Sequence, residues 1–192
     1  MAISVHEVEQ LPQSALGTGV ASGQNAGAFK VIMRSDVVMK RLNERLVECI
    51  KKGDIPNALQ AITQGADVNA RDSASRTVLM LAVINDQTEL AKFLVDCGAK
   101  LNAADEYGQT PLMWAAMRGN ADLVEYFINK GANVHAKDIH GNDALMLSVY
   151  GNKKTAKILV NAGAKSKKSN YYGKSALDLA RLMNKAEIAM LL

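Results

Sequence analysis

The 192-residue sequence is poor in residues that carry out chemistry. It has two cysteines, Cys49 and Cys97, and three histidines, His6, His135 and His140, and their spacing fits neither a metal site nor a disulfide framework. No P-loop, Cys-x-x-Cys, His-Glu-x-x-His or Gly-x-Ser-x-Gly string occurs. We therefore expect a protein that is not an enzyme and that holds no metal or cofactor.

Long apolar runs and targeting signals are also missing. The longest apolar run, residues 78–84, is far too short to span a bilayer. The N-terminus lacks the basic start and apolar core of a secretory signal. These absences predict a cytoplasmic protein without a membrane span, and they leave export without a cleavable signal open.

Charge is unevenly distributed along the chain. The net charge is +4, but residues 137–192 carry ten Lys and Arg against four Asp and Glu, a net +6. Residues 104–136 carry two bases against four acids, a net −2. The basic excess is therefore a property of the C-terminal end.

A period of 33 residues organises the sequence. Gly-Ala pairs begin at Gly65, Gly98 and Gly131, spaced by 33, and a fourth begins 32 residues later at Gly163. Between them recur four related strings: Thr77-Val-Leu-Met, Thr110-Pro-Leu-Met, Asp143-Ala-Leu-Met and Ser175-Ala-Leu-Asp. Repetition at such a period indicates a stack of similar units.

Each unit contains two helix patterns. Thr110 followed by Pro111 is typical of a helix start, because a hydroxyl can accept from an unpaired N–H and proline suits the first helical position. Leu112 and Ala116 then fall on one apolar face, and Gly119 predicts the end of the helix. A second, longer apolar helix follows, and an Asn-, Asp- and Gly-rich turn leads to the next unit. One unit cannot bury both helices by itself, so stacking must stabilise it.

This pattern resembles the ankyrin-repeat family, most closely in Asp105-Glu-Tyr-Gly-Gln-Thr-Pro-Leu-Met-Trp-Ala-Ala116. The resemblance covers about residues 38–192 and implies an all-α solenoid of stacked helix pairs with protruding hairpin loops. It predicts an N-terminal cap at 38–70, full repeats at 71–103, 104–136 and 137–168, and a C-terminal cap at 169–192. We expect residues 1–37 to form a flexible segment, within which Phe29–Val38 either docks on the first helix or binds a partner.

The sequence departs from the family pattern at several positions, among them Ser75 and Asp86, which stand where the family has glycine. Methionine or aspartate stands where the family has a histidine, at Met80, Met113, Met146 and Asp178, which predicts looser turns. The repeat at 137–168 is one residue short, which predicts a shift of Tyr150 and the turn beneath it.

The resemblance also implies a binding site. Ankyrin stacks bind partners through a concave face made by the hairpin tips and the exposed edge of each first helix. Mapped onto this sequence, the candidate partner-binding residues are Arg76, Ile84, Asn85, Glu106, Tyr107, Gln109, Trp114, Met117, Arg118, Ile139, His140, Asn142, Tyr150, Tyr171, Tyr172 and Lys174. The set holds four of the five tyrosines, and Tyr, Met and Arg are enriched at protein interfaces. For Trp114 a role as filler between helices is the stronger alternative.

The sequence favours a monomeric scaffold, adaptor or regulatory binder that uses this face to hold another protein. Two alternatives remain: a translocated effector that binds a host protein, and a module that binds an anion or acidic partner through its C-terminal lysines. Those lysines are Lys153, Lys154, Lys157, Lys165, Lys167, Lys168 and Lys174. A solvated capping face is their simplest interpretation and an acidic protein the next. Nucleic acid and anionic lipid are the least favoured, because no nucleic-acid motif accompanies the charge.

Overall fold

The computed structural model describes residues 26–192, with side chains from residue 35 onward. The chain divides into two compact units, Met1–Val37 and Val38–Leu192. The regular elements in the described residues are ten helices: α1 (Ala26–Lys52), α2 (Ile55–Thr63), α3 (Val78–Ile84), α4 (Thr88–Asp96), α5 (Pro111–Arg118), α6 (Ala121–Asn129), α7 (Ala144–Leu147), α8 (Lys153–Asn161), α9 (Ala176–Leu182) and α10 (Ala186–Ala189).

The helices stack in pairs. Helix α3 packs on α4, α5 on α6, α7 on α8 and α9 on α10. The first helices of neighbouring pairs also pack together, as do the second helices α4, α6 and α8. This arrangement confirms the predicted all-α solenoid. None of the helices in residues 26–192 combines the length and apolar character needed to cross a bilayer.

Helix α1 begins earlier than the sequence suggested. It starts at Ala26 and so includes residues 26–37, which we expected to belong to a flexible segment. Phe29–Val38, the candidate docking segment, lies in the same helix as the first cap residues. Most of the glycine-rich stretch Ser14–Ala28 lies outside the described residues, and the role of residues 1–37 stays a prediction.

The repeat at 104–136 follows its local sequence signals closely. The Thr110 hydroxyl accepts the Met113 N–H at 3.4 Å, and Pro111 stands at the start of α5. Gly119 ends the helix in the left-handed conformation, with φ of 73°, where any Cβ would be strained. The side chain of Phe127 on α6 is completely buried, so both helices of this repeat contribute to the core.

The methionines do not loosen the helix starts. All four first helices after the cap begin with a side chain that accepts a backbone N–H: Thr77 from Met80, Thr110 from Met113, Asp143 from Met146 and Ser175 from Asp178. The Met113 sulfur also accepts the Thr110 N–H at 3.4 Å. In this repeat methionine thus serves as a capping acceptor as well as core filling.

The shortened repeat is built differently. Its first helix, α7, has only four residues, and the Ser148 hydroxyl bonds back to the Leu145 carbonyl at 2.7 Å. The chain then turns at Gly151, which lies against the end of α5. A Cβ at Gly151 would lie 2.3 Å from the Ala116 carbonyl oxygen, so only glycine fits there. Losing one residue is accommodated by this close backbone contact.

Candidate protein-binding face

Each hairpin tip is fixed by one buried or partly buried side chain. In the tip 105–108, the Asp105 carboxylate accepts the N–H groups of Tyr107 and Gln109, both at 2.9 Å. Asp72, Asp138 and Asn170 make the equivalent pair of bonds in the other three tips. Such a side chain holds a turn in one conformation, and what the tip displays is therefore fixed in place.

Electrostatics reinforce the first of these tips. The Asp72 side chain is nearly inaccessible to water. It accepts hydrogen bonds from Arg76 and forms ion pairs with both Arg76 and Lys51. Burial acts to raise the pKa of the Asp72 carboxyl, but the bonds from Arg76 and Lys51 outweigh it and lower that pKa to about 2. The carboxylate therefore stays charged, and Arg76 is held against it at 2.7 Å.

The four tips join into one row. The Ile139 N–H donates to the Tyr107 carbonyl at 3.0 Å, and the Tyr171 N–H donates to the His140 carbonyl at 3.0 Å. A longer bond of 3.4 Å links Glu106 to Ala74 in the first tip. We call the tips 72–75, 105–108, 138–141 and 170–173 the tip row. Because backbone bonds set their spacing, side chains on neighbouring tips keep fixed relative positions.

Large side chains project from this row into solvent. Tyr107 and Ile139 are each 53% exposed, Tyr171 is 71% exposed and Tyr172 67% exposed. At such exposure none of them contributes much to the core. Exposed aromatic and apolar groups gathered along one row are a feature of protein-binding surfaces.

The tyrosines of the last tip are held by neighbours from the previous repeat. The Tyr172 hydroxyl lies 3.0 Å from His140 Nδ1, and the two rings are 5.9 Å apart. Lys137 Nζ lies 5.6 Å from the centre of the Tyr171 ring, a cation–π contact. Lys137 was not among the predicted site residues, because it precedes the tip motif and only the stacking brings it to Tyr171.

The exposed edge of the first helices supplies the rest of the predicted face. Ile84 and Met117 are half-buried, and Tyr150 is 54% exposed. Arg118 forms an ion pair with Asp86 of the preceding repeat, and Asn85 donates to the Ile50 carbonyl at 2.9 Å. This edge therefore combines accessible apolar surface with polar groups that tie neighbouring repeats together.

Several predicted site residues are engaged inside the molecule. Trp114 Nε1 donates to the Asp105 carboxylate at 3.1 Å, so Trp114 braces its own tip as well as packing against the core. Asn142 donates to Asp138 at 3.1 Å and accepts from Asn170 at 2.8 Å. Together with Arg76 and Asn85 these residues support the face. Gln109 is half-buried, whereas Glu106 and Lys174 are exposed at the tips.

Comparison with known families agrees with this architecture. Residues 46–138 match the family model for ankyrin repeats, in three copies. This is an ankyrin-repeat protein. The match ends where the shortened repeat begins, so the structure is what extends the stack from residue 139 to Leu192. The comparison with curated proteins finds no significant match.

Ankyrin repeats are protein–protein interaction modules, and membership of this family makes protein binding the general function of this stack. The family does not specify a partner, because one fold serves many functions. Which residues make contact must therefore be argued from this chain's own surface.

Proposed function

We propose that this ankyrin-repeat protein is a scaffold, adaptor or regulatory binder that holds one partner protein on its tip row and first-helix edge. The observation that carries the proposal is the set of exposed tyrosines on a row fixed by backbone hydrogen bonds. Tyrosine buries a large area at low entropic cost, and its hydroxyl supplies a polar contact.

The main anchors in this proposal are Tyr107, Tyr171 and Tyr172, with Ile139 and Tyr150 beside them. Tyr171 and Tyr172 are already held by Lys137 and His140 contacts, so they lose little freedom on binding. Preorganisation of this kind strengthens binding, because less side-chain entropy is lost.

A pull-down with the full chain tests the proposal. We expect Tyr107→Ala/Tyr171→Ala/Tyr172→Ala to lose the specific partners that the unmodified chain captures, while its circular dichroism spectrum and melting temperature stay close to those of the unmodified chain. Because hot-spot residues dominate interfaces, a loss of about tenfold or more in affinity is expected for an isolated partner.

The matched control is Ile55→Ala/Phe93→Ala/Met190→Ala, which removes three exposed apolar side chains that lie outside both the tip row and the first-helix edge. This control should retain the partners. Retention of every partner by the folded tyrosine variant, or an equal loss in the control, would show that binding uses another surface.

A further inference from the structure

The basic residues of the two halves of the stack differ in their pairing. Of the eleven Lys and Arg residues between 38 and 136, six form ion pairs with carboxylates. Of the ten in 137–192, all within the described residues, only Lys154 does so, with Asp122 at 3.6 Å. The C-terminal charge is therefore largely uncompensated by the protein itself.

Most of this unpaired charge lies on one helix and the loop after it. We define the α8 lysine surface as Lys153, Lys154 and Lys157 on α8 together with Lys165, Lys167 and Lys168 on the following loop. All six side chains are exposed. A nine-residue helix extends over roughly 14 Å, so the surface is long enough to contact several residues of an extended chain.

The lysines stand where they do not help α8 to fold. Helices α4, α6 and α10 each have an acidic residue in the first turn, Glu89, Asp122 and Glu187, whereas α8 has none. Positive charge at a helix N-terminus opposes the helix dipole. Lys153 and Lys157, four residues apart, also repel each other. A binding role accounts for charges that the fold itself disfavours.

The neighbouring repeats show that the positions do not require lysine. By the internal period, Lys154 occupies the position of Glu89 in α4 and Asp122 in α6. Lys157 occupies the position of Glu125 in α6 and of Lys92 in α4. The same scaffold position therefore accepts either sign of charge, and the concentration of lysine is specific to this repeat.

We propose that the α8 lysine surface binds an acidic segment of a partner protein, independently of the tip row. Helix α6 packs against α8 and places the exposed carboxylates of Asp122 and Glu125 along the border of the surface. A long, continuous polyanion such as duplex DNA would be repelled at that border, whereas a short run of Asp and Glu fits within it.

Composition separates this surface from the other anion-binding surfaces. Residues 151–170 contain no aromatic side chain on which a nucleic-acid base could stack. They also contribute no large exposed apolar side chain that could insert into a membrane. The exposed tyrosines that flank these residues, Tyr150, Tyr171 and Tyr172, belong to the first-helix edge and the tip row, and lysine without an anchor of its own matches carboxylates in a flexible peptide.

Fluorescence anisotropy with the full chain and a fluorescein-labelled oligoglutamate peptide tests the proposal. We expect saturable binding that Lys157→Gln/Lys165→Gln/Lys168→Gln weakens by about tenfold, because several exposed charge pairs are lost. The matched control, Lys40→Gln/Arg41→Gln/Lys100→Gln, removes the same charge from exposed residues outside this surface and should stay within about twofold of the unmodified chain.

A second variant guards against loss of binding through unfolding. Lys153→Glu places an acid in the first turn of α8, so it should raise the melting temperature by about 2 °C while weakening peptide binding. A variant that is more stable but binds less tightly cannot owe its defect to misfolding.

Three results would overturn the proposal: no saturable peptide binding, an equal loss in the matched control, or tighter lysine-dependent binding to duplex DNA or phosphatidylserine vesicles at the same salt concentration. The tyrosine triple variant should bind the peptide normally, because it leaves the α8 lysine surface intact. Failure of either binding site therefore leaves the test of the other unaffected.

Discussion

The repeats at 104–136 and 137–168 have the same plan but depend on different interactions. The first has an eight-residue helix α5, ends it with a left-handed glycine and buries Phe127 at its centre. The second has a four-residue α7 and a glycine pressed against its neighbour's backbone. The first repeat is stabilised largely by local signals and core volume, and the second by its fit against the repeat before it.

The contact between these two repeats also lacks a bond that joins the earlier repeats to one another. Asn69 and Asn102 each accept a backbone N–H from the following repeat, from Lys100 at 2.9 Å and Asn133 at 2.8 Å. His135 occupies the equivalent position, and in the described residues no bond joins it to Lys165. The junction between the repeat at 104–136 and the shortened repeat therefore lacks one bond that the two earlier junctions have, and it adjoins the α8 lysine surface.

The largest effect is expected from the core of the middle repeat. Phe127→Ala should lower the free energy of unfolding by about 4 kcal/mol, because it removes a fully buried ring and leaves a cavity. Leu159→Ala, at the equivalent buried position of the shortened repeat, should cost about 3 kcal/mol. Urea unfolding followed by circular dichroism measures both. An equal or larger loss for Leu159→Ala would mean that the shortened repeat relies on its own core as much as its neighbour does.

The next effect concerns the contact that only the shortened repeat makes. Gly151→Ala should lower the free energy of unfolding by about 3 kcal/mol, because the new Cβ would collide with the Ala116 carbonyl. Gly163→Ala is the control. Gly163 has φ of 91°, and a Cβ added there would meet no atom within 4 Å, so the cost is backbone strain of about 1 kcal/mol. If Gly151→Ala and Gly163→Ala lower the free energy of unfolding by similar amounts, the shortened repeat does not depend on the close backbone contact at Gly151.

A smaller, pH-dependent effect is expected at the start of α7. Burial raises the pKa of the Asp143 carboxyl, and backbone hydrogen bonds from Met146 and Leu145 only partly oppose this. The folded state therefore holds the proton more tightly than the unfolded state, and stability falls as pH rises through the range between the two pKa values.

Replacing this group by the threonine found at the start of α3 and α5 should remove that dependence. Asp143→Thr keeps a capping oxygen without a buried charge, so we expect it to stabilise the protein by about 1 kcal/mol at neutral pH and less in acid. Urea unfolding at several pH values checks this. If the difference in the free energy of unfolding between Asp143→Thr and the unmodified chain is the same at every pH, titration of the Asp143 carboxyl is not its cause.

The smallest effect concerns the junction between the repeats at 104–136 and 137–168. His135→Asn should restore the bond to the Lys165 N–H and raise the free energy of unfolding by about 0.5–1 kcal/mol. The reciprocal change, Asn102→His, should lower it by a similar amount, since it removes an existing bond. Hydrogen exchange of the Lys165 amide gives a local readout. If the Lys165 amide exchanges equally fast in His135→Asn and in the unmodified chain, the bond is missing because of the spacing between the repeats and not because of the residue at position 135.

Much of the fold followed from the sequence because its signals are local. The caps at Thr110 and Ser175 and the left-handed Gly119 are recognisable from neighbouring residues alone. The start of α1 was missed, because the apolar residues of Phe29–Val38 suggested a separate segment. For the candidate face, the exposed positions of Tyr107 and Tyr171 followed from the repeat motif.

The polar partners of that face could not be predicted in the same way. Arg118 pairs with Asp86 at a sequence separation of 32 residues, and Lys137 meets Tyr171 in the next repeat. Such contacts depend on the spacing and angle between repeats, and no local sequence pattern encodes that geometry. Trp114 and Asp105 belong to one repeat, but they are nine residues apart, so no short-range pattern indicated that the indole N–H would meet Asp105.

The sequence by itself determined the 33-residue period, the helix pairs and the row of tips, because each depends on short-range propensity repeated in register. Tertiary structure alone decided which side chains remain available for binding. Stacking engages Asn85 and Asn142 with neighbouring repeats and leaves Tyr171 and the lysines of α8 exposed. For Arg118, Lys130 and Lys154 only the stacked geometry supplies a partner, because the paired carboxylate lies on another repeat.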